Sequence, residues 1–301
     1  MDRLRQLEIF VTVADLGSFS GAAERMELPR STVSGAIQAL ETRLQTRLIQ
    51  RTTRRMRLTA DGEACLDWCR RLLAEIEETE SVFRKSGSQP SGRLRVDVPT
   101  RMASLLIAPA LPGFFVQYPE IELELLATDR PVDLQQEGVD CALRVGAVRD
   151  PSLVAQPLCL LEQGNYASPA YLQRHGVPMA PTDLGSHLAV HYVLPSTGRI
   201  DAWEYDDGGV ARTVAMRGMV LANSADTYIA CCIAGLGLIQ IPRYDARRHI
   251  ASGELVEVMP SHRPGPLQAW LLYPHRHRLS RRVQAFSGWV QRLVAEQAIG
   301  G

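Results

Sequence analysis

Apolar residues at Leu4, Leu7, Phe10, Val11 and Ala14 recur at helical steps, the signature of one face of an amphipathic helix. Gly17 is a suitable stop for it. Ser20 is the expected cap of a short second helix over about Gly21 to Met26, with Ala22, Ala23 and Met26 on one face. Glu27-Leu28-Pro29 should turn, because a proline cannot continue the preceding helix. A third helix is predicted from Val33, Ile37, Leu40 and Leu44, which face inward. Its opposite side carries Arg30, Ser31, Thr32, Ser34, Gly35 and Gln38, small or hydrogen-bonding groups with little apolar bulk. A short helix, a tight turn and a second helix make a helix-turn-helix. Leu48 to Thr59 then reads as two short strands around a basic tip, a wing containing Arg51, Thr52, Arg54 and Arg55.

From Thr59, which can cap it, a long charged helix is predicted to about Lys85. Cys65, Cys69, Leu72, Ile76, Thr79 and Phe83 alternate steps of four and three, the 3.5-residue period of a coiled-coil seam, and Trp68 and Leu73 widen the strip. Such a helix needs a partner. A neighbour in its own bundle would serve; the same helix of a second subunit is preferred, because helix-turn-helix dimers read two half-sites about one DNA turn apart.

Ser86 to Gly92 is a Ser/Gly/Pro linker. Beyond it, short apolar strands alternate with helical patterns, the α/β signature. Leu94, Val96 and Val98 form a strand ending at Pro99-Thr100, followed by a helix from about Ser104 to Tyr118. A strand over Ile121–Leu126 leads to Thr128-Asp129. A helix near Val132–Gln136 and a strand over Val139–Val145 follow, with Arg144 and Gly146 at the strand end. Asn223 or Ser224 should cap a helix from about Asp226 to Ala234, and Ser280 the final helix. Ligands in open α/β sheets sit at strand C-termini against helix N-termini. That rule selects Thr100, Arg101, Ser104, Thr128, Asp129, Arg144, Gly146, Asn223 and Ser224 as candidate effector contacts, and Ser196 joins them from a loop of the second lobe. Arg101, Arg144 and the helix starts point to a small organic anion, a carboxylate among the candidates.

At 301 residues, 46% hydrophobic and 22% charged, the chain suits two or three packed domains. The formal net charge is zero, yet Ser20 to Arg57 holds eight arginines against three glutamates, a local +5 beside the helix-turn-helix and the electrostatic footprint of phosphate binding. No signal-peptide pattern or long apolar run is seen, so a cytoplasmic location without membrane contact is expected. The six cysteines form no CxxC pair and read as packing residues, with a redox sensor the lesser alternative. His187 and His191, and His275 and His277, lack an acid or cysteine at ligand spacing. No GxSxG, P-loop or HExxH motif is present, so no catalytic or metal residue and no cofactor is expected. A transport-type binding protein would account for the third segment but would leave the first 58 residues unexplained.

The stretch from Leu7 to Glu63 resembles the LysR-type transcriptional regulators, with Phe10, Gly17-Ser18-Phe19, Ala22-Ala23, Val33-Ser34 and Arg51-Thr52 at the family's positions. The RTTRR wing is similar to that of the CrgA-like branch. Pro29-Arg30 and Gly35 depart from the usual pattern at the DNA-facing surface. Further on, GRLRVDVPT, VDCALRVG and IAGLGLIQIP also resemble the family. The resemblance implies a multidomain chain. An all-α winged helix-turn-helix (1–58) and a linker or dimerisation helix with hinge (59–89) come first. A two-lobed α/β domain like a periplasmic binding protein (90–301) follows, with lobe I at about 90–161 and 267–301 and lobe II at about 162–266. It implies Leu158–Ala167 as the first crossover and Gln268–Tyr273 as the return strand. It also implies a sequence-specific regulator modulated by a small effector, binding double-stranded DNA as a homodimer or homotetramer, with RNA polymerase a candidate partner.

Overall fold

The computed structural model describes residues 1–51, 56–83, 89–148, 150–274 and 280–296. They fall into two compact units, divided after Ser88.

In the first unit, α1 (Arg3–Leu16), α2 (Phe19–Arg25) and α3 (Arg30–Leu44) enclose a core built on Phe10, Val13, Ala22, Val33, Ile37 and Leu40. Gly17 ends α1 in the left-handed conformation. The cap of α2 is Ser18 rather than Ser20: Ser18 is extended and its Oγ accepts the Gly21 N–H at 3.1 Å. α2 therefore starts two residues early, and Ser20 lies exposed in its first turn. The antiparallel strands β1 (Ile49–Arg51) and β2 (Met56–Leu58) form the wing, whose tip, including Thr52, Arg54 and Arg55, lies outside the described residues. Thr59 caps α4 (Ala60–Phe83) by accepting the Gly62 N–H at 2.9 Å.

The seam of α4 is split. Leu66 and Cys69 are buried in this unit's own core, with Cys65, Leu72 and Leu73 packed beside them, because α1 offers them its apolar side. Trp68, placed by the sequence pattern at the edge of the strip, is 53% exposed. The side chains of Thr79 and Phe83 lie outside those described.

The second unit opens with β3 (Gly92–Val98). A continuous helical stretch follows: α5 (Thr100–Met102), a π-helical turn over Ala103–Ile107, and α6 (Ala108–Gln117). It begins four residues before the predicted start. β4 (Ile121–Ala127) and β5 (Cys141–Val145) flank β3 in parallel. Between them, Val132–Gln136 forms turns and not a helix: the Asp133 carboxylate accepts the Gln135 and Gln136 N–H groups at 3.0 Å each, an Asx turn that competes with helical hydrogen bonding. β6 (Leu153–Leu161) runs on into β7 (Gln163–Ala167), interrupted at Glu162.

A second lobe follows: α7 (Pro169–His175), β8 (His191–Tyr192), β9 (Trp203–Asp206), β10 (Ala211–Val214), β11 (Leu221–Ala222), α8 (Ala225–Ile233), β12 (Ile239–Pro242), α9 (Arg243–Ala251) and β13 (Val256–Val258). The chain then returns along β14 (Leu267–Pro274) and closes with α10 (Arg281–Glu296), where Ser280 Oγ accepts the Val283 N–H. Lobe I has the strand order β4-β3-β5-β14-β6, and the largest sheet of lobe II has the order β12-β7-β13. His275 and His277 lie outside the described residues.

Candidate functional site

On α3 the helical period divides the side chains cleanly. Val33, Ala36, Ile37 and Leu40 are buried, Arg30, Ser31, Gly35 and Gln38 are exposed, and Thr32 and Ser34 are half-buried at the border. The outward surface is small and polar, as predicted. A helix in a major groove needs close approach and groups that pair with base edges, and this face offers both. Ser20 adds a hydroxyl from the first turn of α2, and the exposed Arg57 of β2 adds positive charge.

One residue that the sequence reading passed over ties this helix to the wing. Glu41 is 8% exposed. Its Oε1 accepts the N–H groups of Leu48 and Ile49 at 2.9 and 3.1 Å, where the chain enters β1. Two donors that would otherwise be buried unpaired are thereby satisfied by a charged acceptor. In the sequence, Glu41 is one acid among many on a helix, and no local pattern marks it as internal. Gly62 serves the same junction: a Cβ there would stand 2.0 Å from the Leu48 carbonyl oxygen.

In the second unit, Arg101 stands where the two lobes meet, and several of the predicted effector residues are already engaged. The Asp129 carboxylate accepts the Thr100 N–H at 3.0 Å, so the start of α5 holds an internal anion. Arg144 donates to Asp97 at 2.5 Å and to the carbonyl of Leu143. Asp97 is fully buried, and burial raises its pKa despite that neighbour. Arg101 donates from Nε to Asp245 and from Nη1 to Asp226, each at 2.9 Å. Thus both arginines that suggested an anionic effector are paired with carboxylates. Ser104 Oγ turns back to the Arg101 carbonyl, Thr128 Oγ1 accepts the Arg130 N–H, and the Gly146 carbonyl receives the Trp270 indole. Ser224 occupies the cap position of α8 without a side-chain cap bond, Asn223 is exposed beside it, and Ser196 lies on an exposed turn.

The structure adds Tyr192, Asp201, Asp226 and Asp245 to this region. Burial pushes the Tyr192 phenol up to about 12, and the negative charges of Asp129, Asp201 and Asp245 act on it in the same direction. Burial also raises the Asp245 carboxyl to about 6, opposed by Arg101 and by a hydrogen bond from Tyr244. Acids in the first turn of a helix, such as Asp226 and Asp245, are usually solvated, and no local pattern singles these two out.

Among the described residues, no cluster of three or more His, Cys, Asp or Glu side chains could hold a metal ion, and no helix is long and apolar enough to cross a membrane. The Cys65 and Cys69 sulfurs lie 3.8 Å apart, yet burial raises both thiols, Cys69 to about 12, which disfavours the reactive thiolate.

Residues 4–63 match the bacterial regulatory helix-turn-helix family of LysR type, and residues 87–295 match the LysR substrate-binding domain. The chain belongs to the LysR family of transcriptional regulators. It is similar to the HTH-type transcriptional regulator YhjC of Escherichia coli, at 40% identity over 98% of this chain and 99% of that one. An HTH-type transcriptional repressor of Pseudomonas aeruginosa is 36% identical over 98% and 93% of the respective chains. Among solved structures it resembles CrgA, a LysR-type regulator of Neisseria meningitidis (TM-score 0.60, 28% identity, 99% of both chains). It also resembles the full-length Vibrio cholerae virulence activator AphB (TM-score 0.56, 28% identity, 96% and 98% covered). As a LysR-type regulator, this protein is a DNA-binding transcription factor with an α/β effector-binding domain, and not an enzyme.

Proposed function

We propose that this regulator reads its operator with the exposed side of α3. Arg30 and Gln38 discriminate bases; Ser31, Thr32 and Ser34 allow close approach; Ser20 and the wing residues Arg51, Thr52, Arg54 and Arg55 hold phosphates. The observation carrying this reading is the division of α3 into a buried apolar face and an exposed face of small polar groups. The effector is a small organic molecule taken between the lobes near Thr100, Thr128, Asn223, Ser224 and Ser196. A carboxylate effector would have to compete with Asp226 and Asp245 for Arg101, and with Asp97 for Arg144. The DNA-binding domain spans 1–58, the linker helix and hinge 59–89 and the effector domain 90–301, and the protein acts in the cytoplasm.

Self-association as a homodimer or homotetramer is supported by a groove of about 670 Å³ between α1, α3 and α4, bordered by Leu44, Cys65, Trp68 and Leu72. Leu44 and Trp68 leave apolar surface in water there, suited to a second copy. RNA polymerase contact belongs to the same reading, as the step by which an operator-bound regulator acts on transcription.

The test is a gel shift on the gene's own upstream DNA with two substitutions. Gln38→Ala should alter base preference. Arg54→Ala should weaken all sequences alike and reduce the salt slope by about one. If both substitutions change binding in the same way, the assignment of roles is wrong.

A further inference from the structure

Arg101 stands in α5 of lobe I, and both of its carboxylate partners stand in lobe II, Asp226 in the first turn of α8 and Asp245 in the first turn of α9. One guanidinium therefore spans the two lobes with two arms of different character. On the inner side, Nε meets the Asp245 carboxylate and Nη2 the Asp245 carbonyl at 3.2 Å. The Asp245 side chain is only 5% exposed. It also lies next to the crossover between the lobes: α9 follows β12, whose Pro242 is in register with Gln163, and the Arg243 N–H donates to the carbonyl of Glu162 at 2.8 Å. On the outer side, Nη1 meets Asp226, which is 54% exposed.

The two arms should respond differently to load. A buried, doubly bonded ion pair cannot be broken without stranding a charge, whereas a half-exposed carboxylate rehydrates readily. The guanidinium fork is rigid, so it can keep Asp245 while letting Asp226 go. A rotation about the crossover would use Asp245, two residues beyond Arg243, as the pivot and Asp226 as the catch. Once released, Asp226 still faces the positive end of its own helix, whose cap residue Ser224 makes no side-chain cap bond.

We propose that the Arg101–Asp226 pair is a built-in strap that holds the lobes together before effector arrives, and that filling the cleft acts by releasing it. The second half rests on the effector reading above; the strap itself is a property of the unliganded chain.

The test is hydrogen exchange on the full-length protein without ligand, following the crossover segments 160–165 and 258–267. Asp226→Asn should speed exchange there by about fivefold, the effect of losing one partly exposed ion pair. Raising salt from low to high should speed the wild type more than the variant, in which pairs such as Arg243–Glu162 are still screened but the strap is already gone. Arg101→Gln combined with Asp226→Asn should be no faster than Arg101→Gln alone, as expected of partners in one interaction. Arg101→Gln strands Asp245 and is prone to misfold, so Asp226→Asn carries the test by itself. Wild-type exchange in Asp226→Asn, an equal salt response in both proteins, or additive effects in the double variant each overturn the strap. Gel shifts on the same samples keep the outcomes apart: absence of specific DNA binding by the wild type sinks the regulator reading and leaves the exchange result standing.

Discussion

Replacing Glu41 separates the geometry of the junction between α3 and the wing from its charge. In Glu41→Ala the N–H groups of Leu48 and Ile49 lose their acceptor, and both residues are at most 4% exposed. A buried donor left unpaired costs roughly 1–3 kcal/mol, so two cost about 4 kcal/mol. That is a large fraction of the total stability of a small domain. Glu41→Gln keeps an oxygen at the same place and gives up only the charge assistance, about 1 kcal/mol. The contact to Arg47 adds little, being 3.4 Å long with an arginine that is 81% exposed. Amide exchange at Leu48 and Ile49 in the full chain should therefore rise about a thousandfold in Glu41→Ala and by less than tenfold in Glu41→Gln. Operator affinity should fall in the same order. If the two variants exchange alike, the acceptor geometry is not what holds the wing, and if Glu41→Ala stays within tenfold of wild type, the anchoring argument fails.

Two other substitutions probe different parts of the chain. Gly62→Ala would raise helix propensity by about 1 kcal/mol in an open helix, but its Cβ would meet the Leu48 carbonyl oxygen at 2.0 Å and neither backbone can yield cheaply. A net loss of about 2 kcal/mol or more is expected in urea unfolding of the first unit, and a neutral or stabilised variant would show that the contact relaxes. For Asp245, the folded state binds its proton more tightly than the unfolded state, with a pKa near 6 against 3.8. Its contribution to stability is therefore complete below about pH 4 and declines as pH rises through 6, by about 3 kcal/mol at most. Asp97 and Asp201 shift the same way, so the quantity to measure is the difference in urea midpoint between wild type and Asp245→Asn at pH 4.5 and pH 7. A difference that does not change with pH would contradict the assignment.

The sequence showed most clearly what periodicity controls. The inward Val33, Ile37 and Leu40 and the outward Arg30 and Gln38 follow from helical spacing alone, and so does the strand pattern of Leu94, Val96 and Val98. Choices between near-equivalent neighbours were hidden. Ser18 and Ser20 are the same residue type two positions apart, and it is Ser18, directly after the left-handed Gly17, that caps α2. The coiled-coil spacing of α4 correctly marks an apolar strip, but spacing cannot say that Cys69 turns to its own core while Trp68 faces water. Pairings over long sequence distance were least visible. Arg101 finds Asp245 across 144 positions, and Arg144 finds Asp97 across 47, so arginines that looked available for a ligand were already bound to acids with no local sign of it.

The order of strands in the first lobe also governs how the protein comes off the ribosome. β14 lies between β5 and β6, and α10 gives Phe286, Trp289 and Val290 to the same core, so that lobe cannot close until nearly the whole chain has been made. The first unit ends at Ser88, and at ordinary translation speeds it precedes β14 by on the order of ten to forty seconds. Premature termination anywhere in the second lobe thus yields an operator reader with no sensor at all, rather than one with half a sensor.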